Sequence, residues 1–405
     1  MREMKDSGVK WIGEIPTTWE LSKIGSIYDE RNEKVSDKDY EPLSVTKQGI
    51  VPQLETAAKT DNGDNRKLIK KNDFVINSRS DRRGSCGISE YDGSCSLINT
   101  VLKPRRNMCN QYYGFVFKSE NFADEYYRWG HGIVNDLWST KWSDMKNIYI
   151  PMPSIEEQKK MAEYLDSKCS KIDAIIEKQQ TIIDKLKEYK LSMINEVTNV
   201  KEGISCHLGF ISQMKNGLNF TDTLEGIRIK FLGVGDFKQY FFLDNEEQFS
   251  TVITESDISE DYYLKDGDIV FVRSNGSKEL VGRAVMVNNI SFPLTYSGFC
   301  IRFRNIRPDI IDSRFLLYYF RSPDFRKQLE KYSQGSNISN MNQDLLSRMS
   351  FTIPSMEYQI DALEQLEIKC KKIDEKVDNT ELFINKLMEY KKSLVYEVVT
   401  GKKEV

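Results

Sequence analysis

The stretch LKEYKLSMINEV, Leu186 to Val197, returns as LMEYKKSLVYEV, Leu387 to Val398, 201 residues further along a chain of 405. A unit written twice has to be folded twice, so this repeat limits the architecture more than composition does. The register persists upstream. IPMPSIEEQKKMAEYLDSKCSKID, from Ile150, lies over FTIPSMEYQIDALEQLEIKCKKID, from Phe351, so that Pro153 falls on Pro354, Gln158 on Gln359, Cys169 on Cys370 and Asp173 on Asp374. Each proline is followed by Ser and acids, which start a helix, and Gly203 and Gly401 are the next residues able to stop one. Along the first copy Leu165, Cys169, Ile172, Ile176, Gln179, Ile183, Leu186, Met193 and Val197 keep a 4-3 spacing. In the second, Leu366, Cys370, Ile373, Val377, Thr380, Ile384, Leu387, Leu394 and Val398 do the same. That is a heptad seam, and two rods of equal register, each roughly 65 Å long, are expected to pair through it. A long amphipathic helix lying on a globular core is the alternative. Gln179 and Thr380 occupy equivalent polar positions near the seam's midpoint, where a polar residue can fix register.

The segments ahead of the rods read differently. Residues 20–150 and 204–350 are rich in Gly, Asn, Ser and aromatics, with short β-type runs such as DFVINSRS, GFVFKS, DIVFVRS and GFCIRFR. They diverge in sequence yet share landmarks in order. KNDFVI resembles KDGDIVFV, each followed by an Arg/Ser/Asn loop. FKSENF (from Phe117) resembles FRSPDF (from Phe320), with Gly130 and Gly335 in the loops that follow. The domain plan is therefore 1–153, first globule; 154–203, central helix; 204–353, second globule; 354–405, C-terminal helix.

Composition excludes several classes. The chain is 39% hydrophobic and 29% charged, without the ~18-residue apolar run of a membrane span. Its start, MREMKDSGVKW, lacks the apolar stretch of a signal peptide. Seven cysteines stand in no CxxC spacing and there are only two histidines, His131 and His207, so a structural zinc site is not expected. A reducing cytoplasm is the expected compartment. The net charge of −3 does not speak against a nucleic-acid partner, because the local basic surface decides that.

Catalytic motifs are missing. FLGVGD, Phe231 to Asp236, superficially matches a glycine loop for S-adenosylmethionine, but KQYFFLDNEE follows where small residues should open a helix. An amino-methyltransferase also needs a [DNS]-P-P-[YF] motif, and none of the ten prolines adjoins another. There is no GxxxxGK[ST] loop. Short E-x-K matches such as Glu188 with Lys190 lie on the rods and read as solvated faces.

The helical repeat, read as IPxPxxxEQ…LD…KID…LKEYK.S.I.E.VT, resembles the conserved region of specificity subunits of type I restriction–modification systems. GEIPTTWELSKIG, Gly13 to Gly25, and LSVTKQGIVPQ, Leu43 to Gln53, resemble that family's opening, and the likeness covers essentially the whole chain. The second rod departs from it at Glu357-Tyr358-Gln359. The resemblance implies an α+β fold of two target-recognition globules separated by two long helices, packed as an antiparallel coiled coil with a pseudo-two-fold repeat. It also implies that each globule reads half of a bipartite site on double-stranded DNA. The helices would then serve as spacer and as dock for two methylation subunits, and motor–nuclease subunits would join for restriction. No cofactor is expected on this chain; S-adenosylmethionine, ATP and Mg would sit on the partners. A non-catalytic coiled-coil scaffold with two protein-binding globules is the competing reading.

Candidate DNA contacts follow from residue chemistry. Arg can bond guanine bidentately, Asn or Gln adenine, and Ser either. NSRSDRR offers Asn77, Arg79, Arg82 and Arg83, and its counterpart RSNGSK offers Arg273, Asn275 and Lys278. LSVTKQG supplies Lys47 and Gln48; GDFKQ supplies Asp236 and Lys238. The basic runs KLIKK, KPRR and IRFRNIR, with Arg105, Arg302 and Arg304, are phosphate candidates, since phosphate contacts make up half or more of protein–DNA hydrogen bonds. Leu165, Ile172, Gln179, Leu186, Leu366, Ile373, Thr380 and Leu387 are the candidate helix-pairing residues.

Overall fold

The computed structural model describes residues 2–53, 63–105, 108–132, 138–220, 225–237, 240–255, 257–274, 279–332 and 340–405. The chain divides into two compact units, Met1–Gln180 with Leu382–Val405, and Thr181–Glu381. The two boundaries fall inside the two long helices, Ile155–Thr198 and Met356–Val399, each of 44 residues.

In the first unit a four-stranded antiparallel sheet runs in the order Cys86–Ile88, Phe74–Asn77, Asn99–Pro104, Tyr28–Glu30. In the second, Ser212–Asn216, Cys300–Asn305, Ile269–Val272 and Ala284–Val287 form the antiparallel body of a five-stranded sheet. The turn that feeds the strand after each KND or KDGD is built twice. Asp73 Oδ2 accepts the Lys70 amide at 2.8 Å, and Asp268 Oδ2 accepts the Lys265 amide at 2.7 Å. The residue before each aspartate, Asn72 at φ +72° and Gly267 at +84°, takes the left-handed conformation that Asn and Gly tolerate best.

The FKSENF and FRSPDF landmarks are likewise one device. Ser119 Oγ and Ser322 Oγ accept the amides of Phe122 and Phe325, which open the next helix. The flanking rings pack at 4.9 Å (Phe117 and Phe122) and 5.0 Å (Phe320 and Phe325). All four rings are buried.

Each long helix is pinned to the globule before it. Gln158 donates to Pro153 O at 2.9 Å and accepts from Cys109 N at 3.0 Å. Gln359 donates to Pro354 O and Ile310 O, both at 2.9 Å, and accepts from Asp312 N at 2.8 Å. Both glutamines are buried. The strand that precedes each helix, Tyr149–Met152 or Ser350–Ile353, pairs antiparallel with a strand near the opening of its own globule, Glu20–Lys23 or Ile204–His207.

Within each unit the early turns of one helix meet the late turns of the other, so the packing is antiparallel. Lys391 Nζ reaches Asp173 at 2.6 Å in the first unit, and Lys190 Nζ reaches Asp374 at 2.6 Å in the second. These two pairs are images of each other under the 201-residue offset: the KID aspartate of one copy takes the EYK lysine of the other. Leu165 and Ile172 are buried with Leu394 and Val398 in the first unit's core; Leu366 and Ile373 are buried in the second unit. Leu186, Leu387, Gln179 and Thr380 are half-buried, and the Thr380 hydroxyl donates to Lys376 O on its own helix at 2.7 Å. No helix among the described residues is long and apolar enough to cross a membrane.

Candidate nucleic-acid interface

Strand direction sorts the candidate residues to one end or the other of each sheet. In the first unit Asn77 closes its strand opposite Asn99, and Asn77 Oδ1 accepts the Arg79 amide at 3.0 Å, turning the chain out of the sheet. A 3-10 turn, Ser80–Arg82, follows, and Asn77 N donates to Ser85 O at 2.9 Å to close the loop. A second segment braces it: Ser80 N donates to Trp138 O at 3.0 Å, and Arg79 bridges Ser139. Arg79 pairs with Asp81 at 3.2 Å and Arg83 with Asp124, while the Arg82 side chain, 3.7 Å from Asp81, is 69% exposed.

Lys47 and Gln48 form the exposed two-residue tip of the hairpin Leu43–Thr46/Gly49–Pro52. The Thr46 hydroxyl accepts from Gln48 N at 3.2 Å and donates to Gly49 O at 2.9 Å. A Cβ on Gly87 would lie 3.0 Å from Gly49 Cα, so the hairpin crosses the edge strand where glycine permits close approach. Lys118, at the end of helix Asn110–Lys118, donates to Gln48 O at 3.3 Å, and Asp124 of the next helix holds Arg83. The tip and the arginine loop therefore border one corner.

Arg105 does not join them. It lies beyond Pro104, at the far end of the strand that starts at Asn99, about 20 Å of extended chain from the loop end. It pairs there with Asp29, whose carboxyl its hydrogen bond holds below the ordinary carboxylate range. The KLIKK lysines share that end: Lys67 is buried against Glu30 at 3.1 Å, and Lys70 pairs with Asp92 at 2.9 Å.

In the second unit the same sorting corrects two phosphate candidates. Arg302 lies inside the sheet at 1% exposure and donates to Asp261 O at 2.7 Å, out of reach of any phosphate. Arg304 forks onto Asp268 at 2.7 and 2.6 Å, and that carboxylate is 2% exposed. It is the counterpart of Arg31 on Asp73, a structural ion pair in both units. Asp236 is also structural: its two oxygens accept from Gly233 N at 2.7 Å and Ser250 Oγ at 2.9 Å, closing the FLGVGD stretch as a 3-10 turn. Lys238, Asn275, Lys278, the KPRR arginine at 106 and the Gly335 loop lie outside the described residues.

Arg273 leaves its strand at the end where Val272 faces Cys300, and donates to Gly298 O at 3.4 Å. Ser274 bridges Asn340 there, as Arg79 bridges Ser139 in the first unit. The two bridges align Arg273 with Ser78 rather than with Arg79, so the two loops offset their arginines by one residue. The site end of each sheet thus collects Arg, Asn and Ser groups on short loops, while the opposite ends are closed by ion pairs. Among the described residues no group of His, Cys, Asp and Glu could hold a metal ion.

The helices carry a second feature that the seam reading missed. Ile182 and Tyr189 lie seven residues apart outside the seam and are 40% and 59% exposed; Phe383 and Tyr390, their repeat images, are 45% and 52% exposed. Their spacing is legible in the sequence, as one apolar position too many for a two-stranded seam.

Comparison with known proteins places the sequence and the fold in one family. The family model for the type I restriction modification DNA specificity domain matches twice, at residues 16–188 and 208–380. The chain is 26% identical over 345 residues to the StySPI type I restriction enzyme specificity subunit of Salmonella potsdam, covering 79% of this chain and 73% of that one. It is 23% identical over 346 residues to the EcoKI specificity subunit of Escherichia coli K12, with the same coverage. Its fold is similar to that of a chain from a solved structure on complex assembly and conformational transition of the type I R-M system, at TM-score 0.74 and 13% identity over 96% of this chain and 99% of that chain. It is also similar to the HsdS subunit of Thermoanaerobacter tengcongensis, at TM-score 0.52 and 14% identity over 96% and 98%.

Proposed function

We propose, from the premise that this chain belongs to the type I restriction modification DNA specificity family, how it carries out that recognition. Each globule reads one half of a bipartite duplex site with the loop end of its sheet, and the paired helices set the distance between the halves. The observation that carries this reading is the contrast between what repeats and what does not. The glutamine clamps, the aspartate turns and the Asp–Lys pairs recur in both copies. The loops holding Asn77, Arg79 and Arg82 on one side and Arg273 on the other do not.

The chain contributes no catalytic group in this reading. S-adenosylmethionine, ATP and Mg belong to its partners: two methylation subunits, joined by motor–nuclease subunits in the restricting complex. The twin exposed stripes, Ile182 with Tyr189 and Phe383 with Tyr390, support two copies of one methylation partner, because similar apolar surfaces at repeat-related positions can recruit the same subunit.

The test is a domain exchange. Residues 208–346 are replaced by the second globule of another family member, and methylated adenines are mapped by sequencing in a host carrying the complex. One half-site should change and the other persist. A change in both halves would refute modular reading.

A further inference from the structure

We propose that Phe299 reads the C5-methyl group of a thymine in the major groove, beside the base pair faced by Arg273. The strands ending at Val272 and beginning at Cys300 are antiparallel neighbours with those two residues opposite each other, so Arg273 and Phe299 leave the sheet side by side. The Phe299 carbonyl accepts the amides of Arg273 at 2.7 Å and Ser274 at 3.4 Å, and its own amide donates to Ser297 Oγ at 3.2 Å. The backbone is held on both sides, yet Phe299 is 56% exposed.

Single exposed apolar residues are common on protein surfaces and carry no message alone. This one stands on a fixed backbone within a rim of Arg273, Asn219 and Ser274, at the end already assigned to DNA. The approach to Asn219 is so close that a Cβ on Gly298 would lie 2.2 Å from its Oδ1. Thymine differs from cytosine in the major groove by its methyl group, which an apolar side chain such as Phe recognises. The first unit builds the same backbone slot with another side chain. Ile98 O accepts from Ser78 N at 3.3 Å and Ser78 Oγ at 2.6 Å, and an aliphatic, half-buried residue fills the position. One slot with two occupants is what two different half-sites require.

The inference rests on the reading that this end of the second globule faces DNA, and the experiment separates the two. The full chain with its methylation subunits is titrated with duplexes bearing the mapped site, each thymine of the second half-site replaced in turn by deoxyuridine. One replacement should weaken wild-type binding roughly fourfold, the worth of about one buried methyl group. Phe299→Ala should weaken binding to the unmodified site and be blind to that replacement, while Phe299→Leu should keep part of the sensitivity. Additive effects of Phe299→Ala and the replacement, or no sensitive thymine in the half-site, overturn the assignment. If Arg273→Ala still relaxes one base position in that case, the Phe299 assignment alone falls. If neither Arg273→Ala nor Phe299→Ala alters base preference, the orientation of the globule falls as well.

Discussion

Replacing Gln359 by Leu should cost far more than its place in a polar helical segment suggests. The side chain is wholly buried, and its amide closes three hydrogen bonds to Pro354 O, Ile310 O and Asp312 N. Each bond contributes about 0.5–1.5 kcal/mol net, and each interior backbone group left without a partner costs about 1–3 kcal/mol. Leucine recovers part of this by burying carbon instead of an amide, which leaves a net loss of about 3–5 kcal/mol. Gln158→Leu breaks only two such bonds and should cost less, about 2–3 kcal/mol. Hydrogen exchange read by mass spectrometry localises the effect. In Gln359→Leu the turn at 310–312 and the first turns of the C-terminal helix should exchange a hundredfold faster or more, while the first unit keeps its protection. A loss below about 1 kcal/mol in urea unfolding, or equal deprotection of both units, would show that the clamp is not what holds the helix to its globule.

The arginines should separate by role. Arg304→Ala strands a buried carboxylate at Asp268 and should cost about 3–5 kcal/mol of stability in denaturant unfolding, with the salt dependence of DNA binding unchanged. Arg82→Ala with Arg83→Ala should lower the slope of log K against log salt by about 1.8, whereas Arg105→Ala, at the far end of the sheet, should leave it unaltered; the opposite pattern would place the DNA at the wrong end. Across the helices, a double-mutant cycle on Asp173 and Lys391 should return a coupling of about 0.2–1 kcal/mol, with charge reversal of both partners restoring most of it. A null coupling in low salt would mean that the pair adds nothing to the pairing of the helices.

The repeat, the long helices and their seam were legible because they depend on local pattern: a heptad spacing, prolines at the starts and glycines at the stops. The landmark pairs KND/KDGD and FKSENF/FRSPDF were also visible as matching letters, although not as the turns and ring pairs they form. What failed was long-range. IRFRNIR reads as a strand with basic residues on one face, and alternation suggests a wet face. That strand lies between two neighbours in its sheet with Cys300–Phe303 all buried, so Arg302 is buried and Arg304 finds an aspartate 36 residues earlier. Lys67 was misread for the same reason, since all of Arg66–Ile69 is buried. Phe299 went unnoticed because its neighbour Arg273 lies on another strand, and only the pairing of Val272 with Cys300 brings the two together.

The fold explains how two globules can diverge while their helices stay alike. Each clamp glutamine bonds main-chain atoms only: Pro153 O and Cys109 N in one copy, Pro354 O, Ile310 O and Asp312 N in the other. The serine caps bond main-chain amides, and the aspartate turns do so as well. Side chains elsewhere in the globule can therefore change without breaking the glutamine clamp itself, provided the backbone path is kept. In the proposed reading, base recognition works in the opposite way, through side chains on loops past the strand ends. A substitution there removes no ladder hydrogen bond, so its cost to folding is small while its effect on base choice is large. The offset that puts Arg273 in the place of Ser78 is of this kind: the backbone bond to the neighbouring strand and the bridge to the neighbouring segment recur in both units, and the side chain at that position has changed.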